Sequence, residues 1–441
     1  MSRITAQSNL RTRLAQGVAW NLIGVVFNQG STFLVSILLA HVLGLKTFGE
    51  YAMVQATVAA AALLAQVATG YTATKYVAEF RSADSGRAGR VLALLGLTAV
   101  ATATLTAAIL LSGSGWLARD LLRQPVLAPA LAVGAGGVFF SAISGFLMGA
   151  LAGLEAYRTL GLAGIASGII YVVTCIAGAE YAGLTGAVAG VALSGFAQSA
   201  VLWQAVRVEA RRRGIPIRLE GIGTETGIIL RFAIPAALNG FIAMPAVWAS
   251  NAFLARQDGG YALLALFSAA NSFRIIVLFL PNIVNNVSMS LLNNQRGLRD
   301  ERRYRRVFWV NLAVMLGIVA VSSTGIAILG HWLLLWFGSG FGAAYPVLLV
   351  LMAVTIPESA STALFQVTQS RERIWASVGT VAIPCYGTLA LTAWWLTPTH
   401  GALGLAWAHL AGWTVALIAN CALVSKLGVR VSGTTPAEAR A

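Results

Sequence analysis

Charge is scarce in this chain. Charged residues make up 10% of its 441 residues, against roughly 25% in soluble domains. Too few charges exist to cover a water-facing surface, which excludes an ordinary soluble globule. Cysteine is scarcer still: Cys175, Cys385 and Cys421 all fall in apolar segments. Their odd number and their absence from loops argue against a disulfide framework or a zinc site. The four histidines, His41, His331, His400 and His409, are scattered without metal-ligand spacing. No GxxxxGK[ST] phosphate loop occurs, so no ATPase is expected. No catalytic constellation appears either, so neither an enzyme nor a cofactor is implied. The opening "MSRITAQSNLRTRLAQG" is polar and basic and precedes a full-length apolar run, unlike a cleavable signal peptide.

Apolar residues fill the space that charge leaves. They form 58% of the chain, in runs of about 20 residues, each long enough for a hydrocarbon core of about 30 Å. A β-barrel would instead show alternating segments of about 10 residues. The pattern predicts an all-α polytopic membrane protein. Its twelve spans lie near 17–42, 49–73, 91–113, 129–151, 160–179, 183–205, 227–253, 260–292, 307–330, 344–368, 374–396 and 401–425. An even number of spans puts both termini on one side. Of the 30 basic residues, 24 fall on that side and 4 (Lys46, Arg119, Arg123, Arg256) on the other, with Arg231 and Arg274 inside spans. The positive-inside rule makes the arginine-rich side cytoplasmic. The net charge of +15 is then a topology signal, and no nucleic-acid partner follows from it.

Three domains are expected: a six-helix lobe over 1–205, a linker over 206–226 and a second six-helix lobe over 227–441. The linker, "VRVEARRRGIPIRLEGIGTET", reads as a plain cytoplasmic connection, with contact between its basic face and anionic lipid as the alternative. Short matches relate the lobes in order along the chain. "FGEYAMVQA" from Phe48 pairs with "GGYALLALF" from Gly259, and "GWLARDLL" around Trp116 with "HWLLLWFG" around Trp332. "YAGLTGAVAGVAL" around Gly183 pairs with "THGALGLAWAHL" around Gly401. A duplication of six spans would give two repeats of one orientation.

Polar residues gather in the first two spans of each half. Asn21, Asn28, Thr32 and Ser36 share one side of the first span. Tyr51, Gln55, Gln66 and Thr69 share one side of the second, and Arg231 and Asn239 one side of the seventh. In the eighth, Asn271, Arg274, Asn282, Asn285 and Asn293 form a stripe at about 100° per residue. Hydrocarbon cannot hydrate these groups, so the stripes should face one another or water. For a single Asn or Gln, interhelical hydrogen bonding is the bland alternative. Arg274 sits in the middle of "FSAANSFRIIVLFLP", in a run from Tyr261 to Leu292 with no other charge. A cavity-facing functional cation is its leading reading, ahead of a structural ion pair or a misplaced span boundary. Arg231 lies nearer a span end and could snorkel outward. Glu358, in "AVTIPESASTALF", is the one deep carboxylate: a candidate for ion coupling, for a structural pair or for a neutral hydrogen-bonded acid. Pro235, Pro245, Pro281, Pro346, Pro357 and Pro384 all sit in second-half spans and suggest bends.

The stretch "GVAWNLIGVVFNQGSTFLVSILLAHVLGLKTFGEYAMVQA", Gly17 to Ala56, resembles the opening of bacterial polysaccharide flippases. Its "LAHVLGLKTFGEYA" follows their LxRxLGxxxFGxYA-like turn, with His41 where a basic residue is common. "TATKYVAEF" and "ALAGLEAYR" are similar to further family segments. The family belongs to the MOP superfamily, with multidrug exporters and peptidoglycan-precursor flippases. The resemblance implies two six-helix lobes around a central cavity lined by spans 1, 2, 7 and 8. It implies flipping of an undecaprenyl-diphosphate-linked oligosaccharide across a bacterial inner membrane, with membrane lipids and a polysaccharide polymerase complex as candidate partners. Arg274 and Arg231 would meet the diphosphate, and Tyr51, Gln55, Asn21, Asn28, Asn239, Asn271 and Asn282 the sugar. A cation-coupled drug exporter is the alternative, but the first two spans hold no carboxylate deeper than Glu50. A membrane polymerase or ligase would need a sizeable outside loop, and the limits above leave none longer than 114–128.

Overall fold

The structure, a computed structural model, describes the backbone of residues 2–229, 233–297, 301–370 and 374–426. Side chains are described there except at 2–19, 21, 234–240, 286–297, 301–305, 370, 374 and 375. Among the described residues there is no strand. Eight helical stretches are long and apolar enough to cross a membrane. Three of them are two spans joined at a glycine, which makes eleven, and Ile234–Ala255, with its apolar part at Phe241–Ala255, is the twelfth. The joining glycines are Gly44 (φ 73°), Gly183 (φ 56°) and Gly401 (φ 54°). A left-handed turn reverses the chain without the steric cost that a Cβ would bring.

In chain order the spans are α1 (2–43), α2 (45–66, resumed as Thr69–Phe80), α3 (Ser85–Trp116), α4 (Leu127–Gly153), α5 (157–181) and α6 (184–212). The second half continues with α7 (Ile234–Ala255), α8 (Gly260–Gly297), α9 (Glu301–Leu335), α10 (Tyr345–Ser370), α11 (374–400) and α12 (402–426). Two compact units result, Met1–Met244 and Pro245–Ala441. The segment after α6 packs into the first unit. Ile215 and Ile228 join a core of Phe80, Val91, Leu95, Leu147 and Val206, while Arg87 and Arg90 reach Glu225 at 3.0 and 3.5 Å.

Small residues hold the first unit together. Lipid tails are as apolar as leucine, so helices associate there through close van der Waals contact. The run "GFLMGALAG" of α4 puts Gly145, Gly149 and Gly153 one turn apart on one face. A Cβ would strike the Gln66 side chain at Gly145, the Gly70 backbone at Gly149 and Val77 at Gly153. Thr74 on α2 donates its hydroxyl to the carbonyls of both Gly149 (3.1 Å) and Gly70 (3.0 Å). Arg81 closes the crossing by pairing with Glu155.

Polar side chains also join helices within the second unit. Ser323 on α9 meets Thr355 on α10 at 2.8 Å, and Asn420 on α12 donates to the Ser361 hydroxyl at 2.8 Å. Gln366 donates to the Asn285 carbonyl, tying α10 to α8. Pro245, Pro281 and Pro357 lie inside helices. Pro346 does not bend its span as expected: it is the second residue of α10, where the missing N–H has no intrahelical acceptor to lose.

One of the matched sequence segments is also alike in backbone geometry. Gly183 and Gly401 share nearly one conformation, with ψ of −133° and −131°. Gly186 packs on the carbonyl of Gly178, and Gly404 on that of Leu396. Each of these three matched positions is separated by the same 218 residues.

A test of glycine packing follows from the α2–α4 crossing. Gly149→Ala should lower the stability of the purified protein by roughly 1–3 kcal/mol through overpacking. Gly387→Ala, in α11 with nothing within 4 Å of the added atom, should cost nothing and gain up to about 1 kcal/mol of helix propensity. Thermal unfolding in one detergent checks both. Equal effects would remove the packing role of the α4 glycines.

Candidate functional site

Arg274 lies in the interior of α8 with a carboxylate and an amide closed around it. Its Nε and Nη2 donate to Oε2 of Glu358 at 2.8 and 2.6 Å, and its Nη1 donates to Oδ1 of Asn271 at 2.8 Å. The two side chains are only 10% and 14% exposed. Asn271 stands three residues before Arg274 and so on the same face of the helix. Glu358 arrives from α10, just after the in-helix Pro357. Both contacts to the acid converge on one oxygen, which leaves Oε1 outside the guanidinium's grip. A pair of this kind offsets its desolvation cost only through close geometry and further hydrogen bonds, and the Asn271 amide supplies one.

Other elements of the same unit surround the pair. His409 on α12 is 5% exposed, and neither ring nitrogen has a hydrogen-bond partner among the described residues. Its ring stacks on Phe267 of α8 with centroids 5.5 Å apart, and Phe267 is two turns before Arg274 on one helix face. Tyr386 on α11 lies within electrostatic reach of both Arg274 and Glu358, and His409 within reach of Arg274. Four helices, α8, α10, α11 and α12, therefore converge on one cation. His409 is legible as a polar residue inside the apolar run "AWAHLAGW", but no sequence spacing links it to Arg274. Nothing in the sequence singled out Tyr386.

The Asn stripe of α8 divides. Asn271 serves Arg274. Asn282 is exposed. Asn285 turns inward, where Asn311 of α9 donates to its side chain at 3.5 Å. Periodicity placed these residues near one side, yet each meets a different neighbour.

In the first unit Tyr51 and Gln55 come together. Gln55 Nε2 donates to the Tyr51 hydroxyl at 2.9 Å, and that hydroxyl stands 3.5 Å from the hydroxyl of Tyr171 on α5. Tyr171 was missed by the sequence reading because it lies 120 residues from Tyr51 on a span without a polar stripe. Along α1, Asn28 is exposed. Thr32 and Ser36 donate their hydroxyls to carbonyls four residues back, at 3.0 Å each, which meets their needs within the helix. Glu50 is buried and receives Gln124 at 2.6 Å. Arg231 lies outside the described residues, as do the side chains of Asn21, Asn239 and Asn293.

Chemically, the second-unit cluster can exchange one anion for another. Arg274 presents a planar fork to Glu358. Any event that neutralises or withdraws that carboxylate frees two charge-assisted donors on a buried cation.

Comparison with known proteins gives the relationship. The family described as polysaccharide biosynthesis protein matches residues 14–291. No curated protein matches the chain. Among solved structures, an inward-facing multidrug resistance MATE family transporter of the MOP superfamily aligns over 93% of this chain and 100% of its own, with TM-score 0.76 and 14% identity. A MOP superfamily transporter from Pyrococcus furiosus aligns over 94% and 95%, with TM-score 0.71 and 16% identity. The lipid II flippase MurJ, in an inward closed conformation, aligns over 92% and 87%, with TM-score 0.71 and 12% identity. The chain belongs to the polysaccharide biosynthesis protein family and is a multi-pass helical membrane protein with the fold of the MOP superfamily.

Proposed function

We propose that this protein is a flippase that moves an undecaprenyl-diphosphate-linked oligosaccharide from the cytoplasmic to the periplasmic leaflet of a bacterial inner membrane. It is not an enzyme in this reading, and both termini are cytoplasmic. The observation that carries the reading is Arg274, a buried cation whose only carboxylate partner among the described residues is Glu358. The family match and the fold shared with a lipid II flippase support it.

In this mechanism the diphosphate and Glu358 compete for Arg274. Protonation of the acid releases the guanidinium to the diphosphate, whose lost hydration it replaces with charge-assisted hydrogen bonds. Deprotonation restores the internal pair and expels the anion. Asn271 keeps the guanidinium plane oriented in both states. Tyr51, Gln55, Asn28 and Asn282 offer hydroxyl and amide groups suited to sugar, with Asn21 and Asn239 as further candidates, and Arg231 as a further candidate for the diphosphate. The isoprenoid tail stays in the bilayer throughout. A drug exporter for cations fits less well, because Arg274 neutralises Glu358 and Gln124 occupies Glu50.

The proposed orientation is open to direct measurement. Reporter fusions at Lys426 and within 207–218 should both give cytoplasmic signals, and a periplasmic signal from either would overturn it.

The competition is tested by separating transport from folding. Arg274→Ala should abolish flipping of lipid-linked oligosaccharide in reconstituted vesicles. Arg274→Lys should be intermediate, weaker by roughly 10- to 100-fold, since hydrogen bonds to charged groups contribute about 1.5–3 kcal/mol each. Glu358→Gln should remove the dependence of flipping on a pH gradient without unfolding the protein. If the pair is structural only, Arg274→Ala should instead cost about 3–5 kcal/mol of stability, and Arg274→Ala/Glu358→Gln should recover most of it. Normal flipping by a stable Arg274→Ala protein would end the substrate-binding role.

A further inference from the structure

The first unit contains a cavity that the transport reading does not use. It has a volume of about 890 Å³ and opens between α3, α4, α6 and the segment after α6, within the range of roughly 300–1,000 Å³ of sites that hold small molecules. Its walls are apolar. Leu92, Val100, Phe140, Phe146 and Phe196 line the membrane-embedded part, and Trp203 stands toward one end. At that end three cations complete the lining: Arg207 and Arg211 from the last turns of α6, and Arg218 from the following segment.

These three arginines have no carboxylate partner among the described residues. The nearby acids are engaged elsewhere or point to solvent. Glu209 is taken by Arg212 and Arg213 at 3.4 and 3.7 Å, Glu225 by Arg87 and Arg90, and Glu220 is exposed, with no ion pair among the described residues. Arg207 is held over the ring of Trp203, 4.8 Å from its centroid. The segment carrying Arg218 is positioned firmly. The Pro216 carbonyl rests on Gly89 of α3 so closely that no side chain fits there, and Ile215 is buried. Beside Arg218, Leu219 remains 68% exposed, an apolar side chain next to a cation at the end of the span. Apolar wall, interfacial tryptophan and uncompensated cations follow one another in the order in which a phospholipid presents acyl chain, glycerol and phosphate.

We propose that this crevice is a binding site for one anionic glycerophospholipid, its acyl chains between α3, α4 and α6 and its phosphate among Arg207, Arg211 and Arg218. The site is independent of the transported substrate. Its assignment to the cytoplasmic leaflet rests on the orientation proposed above.

The test uses the full-length protein in mild detergent, with native mass spectrometry counting retained lipid. The probes are dioleoyl-phosphatidylglycerol, dioleoyl-phosphatidylcholine and inorganic phosphate. Wild type should retain phosphatidylglycerol in preference to phosphatidylcholine. Arg207→Gln/Arg211→Gln/Arg218→Gln should weaken that retention on the order of 100-fold, at about 1 kcal/mol per cation near a membrane surface. Ala200→Trp, which fills the crevice from an exposed wall position and keeps every arginine, should weaken it as well. Arg212→Gln/Arg213→Gln removes two neighbouring charges outside the crevice and should leave retention unchanged. Equal retention of both lipids, or full retention by the triple variant, would overturn the site. Displacement by inorganic phosphate together with an inert Ala200→Trp would also overturn it, in favour of a surface anion site.

Discussion

Hydrocarbon offers no hydrogen bonds, and every feature of this protein answers to that constraint. Helices satisfy their own backbone, which is why the described spans are built of helix, with α2 interrupted only at Val67 and Ala68. Side-chain hydroxyls follow the same rule: Thr32, Ser36, Thr98, Thr102 and Thr397 all donate to carbonyls four residues back in their own helices. A full charge cannot be met that way. Arg274 needs an acid from another helix, and Glu358 meets that need from α10.

The two units apply different chemistry to one topology. The first brings backbones together at glycines, as at Gly149 on Gly70, so that attraction is spread over many close contacts. The second uses pairs such as Ser323–Thr355 and Asn420–Ser361, and its helices carry in-helix prolines. The turn at Gly183 recurs at Gly401 with nearly the same backbone angles. A reversal that needs positive φ tolerates little but glycine, so its geometry persists after the surrounding side chains have changed.

A buried ion pair costs desolvation that apolar packing would avoid. Keeping Arg274 buried against Glu358 and Asn271 therefore asks for a reason beyond stability. The anion exchange proposed above supplies one, because only a charge that can change partners does work when its surroundings change.

Run length alone determined the class of this protein and its twelve spans, because bilayer thickness sets one length for every crossing helix. The depth of Arg274 and Glu358 was legible for the same reason: a charge in the middle of an apolar run has nowhere else to be. Helical periodicity also placed Asn271 beside Arg274, since neighbours three apart share a face whatever surrounds them. Tertiary structure decided everything that depends on what a face meets. It joined Arg274 to Glu358 across 84 residues and Tyr51 to Tyr171 across 120. It sent Asn282 outward and Asn285 inward, set His409 against Phe267, and folded the segment after α6 into the first unit. Those outcomes follow from the register between packed helices, which depends on shape across the interface and leaves no period in the chain.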